Sequence, residues 1–99
     1  MNRNMMRQAQ RQLAQLQQIQ DELETLTVTG TAGGGAVRIV MTGKQAVESV
    51  EIEPEAAEDL ELLQDMLVGA FNDAAAKAQE MAASKMSVIT GGMNHPGLT

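Results

Sequence analysis

The 99-residue sequence predicts a single α+β domain with a long N-terminal helix, a three-stranded antiparallel meander, a short helix and a long C-terminal helix. Two changes of hydrophobic period carry that prediction. Apolar residues recur at steps of three and four up to Leu26, alternate in twos from Thr27 to Glu53, and return to helical steps from Leu60. The alternating stretch is cut into three by two glycine-bearing turns.

In the first segment Met6, Ala9, Leu13, Leu16, Ile19, Leu23 and Leu26 form one stripe of an amphipathic helix, expected over about residues 4–26. The other faces are rich in glutamine (Gln8, Gln10, Gln12, Gln15, Gln17, Gln18, Gln20), a good helix former that stays solvated. The stripe reads as a packing surface, since only three basic residues accompany it and a membrane-surface helix carries more. Strands follow at about 27–30, 36–42 and 46–53. Val37, Ile39 and Met41 alternate with Arg38 and Val40 in the second, and Val50 and Ile52 with Glu51 and Glu53 in the third. The run Gly30-Thr31-Ala32-Gly33-Gly34-Gly35 is a turn, with at least one of Gly33, Gly34 and Gly35 expected at positive φ. Thr42-Gly43-Lys44-Gln45 makes the second turn. Acidic residues on one face leave the other to be covered by helices.

Pro54 closes the third strand and suits a first helical turn, which sets a short helix at about 54–58. Asp59 is a candidate N-cap for a helix over about 59–86, where Leu60, Leu63, Leu67, Ala70, Phe71, Ala74, Ala78 and Met81 fall at helical spacing. Residues 1–87 are thus expected to form one domain, and the turn-rich 88–99 a mobile tail. Two amphipathic helices attached to so small a sheet predict a homodimer that supplies the missing core.

Composition excludes several classes. Without cysteine there is no disulfide, thiolate nucleophile or Cys-based zinc site. No apolar run approaches the roughly 20 residues of a membrane span, and the N-terminus lacks the apolar centre of a signal peptide, so the chain is expected to stay where it is made. Phe71 is the only aromatic residue, too few for a base-stacking platform. The net charge of -6 is unevenly spread. Residues 1–20 hold Arg3, Arg7 and Arg11 and no acid, whereas residues 21–65 hold eleven acids against Arg38 and Lys44.

Catalytic and cofactor motifs are weak. Gly43-Lys44 lacks the earlier glycine and the following Ser or Thr of a P-loop, since Arg38 and Gln45 stand there. The triple glycine does not complete G-x-G-x-x-G, because Arg38 again occupies the last position. His95, the only histidine, has no acidic neighbour in sequence. The acidic run Glu51, Glu53, Glu55, Glu58, Asp59 and Glu61 has no EF-hand spacing and reads as a solvated face. No catalytic residue, metal, cofactor or small-molecule substrate is expected, and the chain does not read as an enzyme.

Several blocks in fixed order carry a resemblance. They are Met5-Met6-Arg7-Gln8-Ala9-Gln10-Arg11, Val28 to Gly35 leading into Val37, Met41-Thr42-Gly43, Val50-Glu51-Ile52-Glu53-Pro54, Ala70-Phe71-Asn72-Asp73-Ala74 and Val88-Ile89-Thr90-Gly91-Gly92-Met93. Over roughly residues 5–94 the chain resembles the YbaB/EbfC family of bacterial nucleoid-associated proteins. The resemblance implies a tweezer-like homodimer with projecting helices, DNA as partner, no cofactor, and a place in the bacterial cytoplasm at the nucleoid. It assigns DNA contacts to Arg7, Arg11 and Lys85; charge placement adds Arg3 and Lys77. If the first helix reaches Arg3, the spacing i, i+4, i+8 puts Arg3, Arg7 and Arg11 within about 80° of one another. The expected function is binding of duplex DNA with weak sequence preference, because nothing resembles a helix-turn-helix recognition helix. The alternative is a protein-interaction dimer with little or no DNA binding, using the glutamine-rich helix and the acidic middle.

Overall fold

The computed structural model describes residues 2–90. Its elements in chain order are α1 (Arg3–Thr25), β1 (Thr27–Ala32), β2 (Val37–Thr42), β3 (Val47–Ile52), a one-turn helix at Pro54–Glu58, and α2 (Leu60–Thr90). The sheet is an antiparallel meander in the order β1-β2-β3, so the α+β architecture is the expected one. Two boundaries differ from expectation. β1 continues to Ala32, pairing residue for residue with β2 up to Ala32 opposite Val37. α2 continues to Thr90, past the expected end near Met86, so residues 88–90 are helical and not part of a tail. Ile89 and Met86 face a hollow shared with Ala9, Leu13 and Leu16 of α1. Packing there extends the helix through β-branched residues that propensity alone would not favour. His95 and the rest of the expected tail lie outside the described residues.

The turn between β1 and β2 is left-handed at each of its glycines, with φ of 64° at Gly33, 68° at Gly34 and 100° at Gly35. The second turn is closed by the Thr42 hydroxyl, which accepts from the backbone N–H groups of Lys44 and Ala46 at 3.2 Å each. Buried Thr42 is therefore fully used.

The core lies between α2 and the first two strands. Val37, Ile39 and Met41 project from one face of β2 and are essentially inaccessible. Against them α2 lays Leu63, Ala70, Ala74 and Ala78. Three alanines four residues apart let the helix sit close to the sheet, and Gly30 on β1 completes the approach. A Cβ at Gly30 would overlap the Ala70 carbonyl oxygen and the Ala74 nitrogen, so only glycine fits.

β3 is arranged differently. Ile52 and Val50 pair with Val37 and Ile39, so they share the core-facing side of the sheet. Val47, three residues before Val50, would alternate onto the opposite side. A register shift leaves Glu48 as the extra residue, and Val47 pairs with Met41 on the apolar side. α2 packs on β1 and β2, and β3 stays open: Val47, Val50 and Ile52 are 45%, 46% and 39% exposed. The helical cover expected over the whole face is thus complete over two strands of three.

Candidate nucleic-acid interface

α1 and α2 run antiparallel away from the sheet as a two-helix arm. At its base Leu23 of α1 and Met81 of α2 meet over Gly43, where a Cβ would stand 2.6 Å from the Leu23 side chain. Midway, Lys85 Nζ lies 3.0 Å from Glu22 Oε1. Farther out Ile89 faces Ala9 and Leu13. The molecule is 66 Å long with a radius of gyration of 18.8 Å, against about 13 Å for a compact domain of this length. In α1 only Ile19 and Leu23 are buried, and residues 2–15 are exposed throughout.

The arm ends in the first turns of α1. Asn2 caps the helix, its side-chain oxygen accepting from the Met5 backbone N–H at 2.9 Å. The helix begins at Arg3, which meets the condition for Arg3, Arg7 and Arg11 to share a face. This helix end breaks two local rules. Helix N-termini carry positive partial charge and favour acids, yet the first turn of α1 has none. Like charges at i, i+4 repel, yet three arginines are stacked that way. The described residues supply no compensation. Among the described residues, none of the three guanidinium groups has an ion-pair or hydrogen-bond partner.

The lysines are placed otherwise. Lys77 Nζ is 3.1 Å from Asp73 and donates to the Thr29 carbonyl oxygen at 3.0 Å, on the body of the molecule. Lys85 is bound to Glu22, and Lys44 lies 3.8 Å from Glu24. All three lysines thus have acidic partners. Arg38, exposed on the outer side of the sheet opposite Glu51, likewise has no ion-pair partner among the described residues. The hydrogen bond and charge of Lys85 hold the Glu22 carboxyl below its ordinary range. Asp73 is likewise held down, first by the Thr31 N–H that donates to it at 3.0 Å and then by Lys77.

The structure brings Arg3, Arg7 and Arg11 together at the arm tip, puts Lys85 partway down the arm in an ion pair, and leaves Lys77 on the body. The Lys77–Asp73 pair at i, i+4 is legible in the sequence. The Lys85–Glu22 pair joins residues 63 apart and needs the antiparallel arm to form. Among the described residues no group of three or more His, Asp or Glu side chains could hold a metal ion, and no helix is long and apolar enough to cross a membrane. What the tip can do chemically is neutralise anionic oxygens.

Residues 1–93 match the model of the YbaB/EbfC DNA-binding family. A nucleoid-associated protein of Desulforamulus reducens is 48% identical over 96 residues, covering 95% of this chain and 91% of its own length. One from Pelotomaculum thermopropionicum is 46% identical over 96 residues with the same coverage, 95% and 91%. One from Chloroflexus aurantiacus is 45% identical over 93 residues, covering 92% of this chain and 93% of its own. Among solved structures, an uncharacterized protein of Helicobacter pylori has the same fold, with a TM-score of 0.65 at 24% identity over 72% of this chain and 84% of that one.

Proposed function

The chain belongs to the YbaB/EbfC DNA-binding family, and from that premise we propose that it binds duplex DNA as a homodimer, through the arginine-bearing tips of its helical arms and with weak sequence preference. It is a nucleoid-associated DNA-binding protein, working at the nucleoid in the bacterial cytoplasm. The reading calls for no catalysis, metal or cofactor. One observation carries the choice of surface. Every lysine is already matched by an acid, while Arg3, Arg7 and Arg11 have no partner among the described residues and stand on a helix end that local electrostatics disfavours. Phosphate oxygens supply the missing partners. Lys85 and Lys77 contribute less, because phosphate must compete with Glu22 and Asp73 for them.

The acidic body opposes DNA, but beyond a Debye length of about 10 Å at moderate salt that repulsion is screened. Contact is therefore governed by the local arginines. If four to six phosphates are neutralised per dimer, log K falls against log salt with a slope of roughly -4 to -5. Fluorescence anisotropy on a labelled duplex at a series of salt concentrations measures it. Arg7→Glu combined with Arg11→Glu abolishes binding and leaves the oligomeric state unchanged, since both side chains are exposed. Binding that survives the double change, or ignores salt, would overturn the arginine-tip contact, and wild-type protein that does not bind the duplex would favour a protein-interaction dimer instead.

A further inference from the structure

The arm tip carries an apolar feature that phosphate contacts leave unused. Met5 and Met6 are 55% and 49% exposed in the first turns of α1. The apolar stripe continues past the place where α2 covers it, for Ile89 faces α1 at Ala9, Leu13 and Leu16, and Met6 lies nearly a turn beyond Ala9. At about 100° per residue Met6 sits roughly 60° from Arg3, with Gln10 between them, so it borders the arginine row. Met5 projects from the other side, about 160° from Arg7.

We propose that Met6 is a DNA-kinking wedge, inserted between base steps from the minor groove while Arg3 and Arg7 hold the flanking phosphates. The inference rests on the arm tip being the DNA contact. Size decides how the tip can enter. A helix is about 10–12 Å across and the minor groove about 6 Å wide, so the helix stays outside and a single long side chain reaches in. An unbranched thioether suits that task, being flexible, polarizable and apolar to its end. Apolar side chains inserted this way unstack one step and bend the duplex away from the protein. The negative potential of the groove draws the neighbouring arginines toward the same place. Phe71, the only aromatic residue, lies on the body part of α2 and offers no competing wedge at the tip.

The prediction separates the two methionines. Short duplexes labelled at both ends for energy transfer, one with a central TA step and one with an A-tract, report bending, and anisotropy of the same samples reports occupancy. Pyrimidine–purine steps kink easily and A-tracts resist. The wild-type protein shortens the end-to-end distance of the TA duplex, and Met5→Ala does the same. Met6→Ala binds with an unchanged salt slope but leaves the duplex as long as when free. A duplex that stays straight when saturated by wild-type protein overturns the wedge alone, as does full bending by Met6→Ala. Wild-type protein that does not bind either duplex overturns the assignment of the tip as well.

Discussion

Single residues decide how tightly this small domain closes. The hairpin between β1 and β2 turns on three consecutive left-handed glycines, and they are not equivalent. At Gly34 an added Cβ meets open space, so alanine there incurs only the strain of its φ of 68°. At Gly33 it would also meet the Met66 sulfur at 2.5 Å, and at Gly35 the φ of 100° lies well outside the left-handed well that L-residues tolerate. Gly34→Ala therefore costs about 1–2 kcal/mol, and Gly33→Ala and Gly35→Ala more. Urea unfolding at one fixed protein concentration measures the order. Three neutral substitutions would mean that the glycines serve as a loose linker. The need for a positive φ was legible in the glycine run itself; its presence at every member of the run was not, because which residues close the hairpin depends on the register of β1 with β2, which pairs Ala32 with Val37.

Among the elements, those written in local pattern were the ones the sequence made plain. The stripes of α1 and α2, the Pro54 turn and the alternation of β2 each depend on neighbours within a few positions. Asp59 is such a case, accepting from the Leu62 N–H at 3.1 Å as an N-cap should. What pattern alone could not show depends on partners far along the chain. The bulge at Glu48 follows from pairing with β2, and the last turn of α2 is held by α1. The tie between β1 and α2 is of this second kind, made by Asp73 to the Thr31 N–H and to Lys77. Because the folded state holds Asp73 below its ordinary value, the tie stabilises the protein fully above the unfolded pKa of about 3.9 and is lost as pH falls through the lower folded value. The stability difference between wild type and Asp73→Asn is accordingly constant from neutral pH down to about pH 5 and shrinks below about pH 4. A difference that grew toward acid would assign the wrong sign to the interaction.

At the scale of the whole molecule, the open side of β3 is what a single chain leaves unfinished. Val47, Val50 and Ile52 project from the apolar face beside the edge of α2 that carries Phe71, itself 43% exposed. Gln45 ties that edge of the helix to the turn before β3 by donating to the Ala75 carbonyl oxygen at 3.3 Å. In the proposed homodimer a second chain seated there would extend the core on the sheet, away from the arginine tip of each arm. If the proposed homodimer uses that face, Val50→Glu places a charge at its centre and yields a monomer, read as a halved mass by light scattering after size exclusion. The change is far from the tip, so each arm keeps the phosphate contacts proposed for it. Yet two tethered tips bind one duplex with an effective concentration that separate arms lack. DNA affinity therefore falls by one to two orders of magnitude, and the salt slope falls toward half, as the number of phosphates neutralised per binding unit is halved. A Val50→Glu protein that stays dimeric would place the interface elsewhere. A monomer that binds DNA with undiminished affinity and slope would show that one arm suffices.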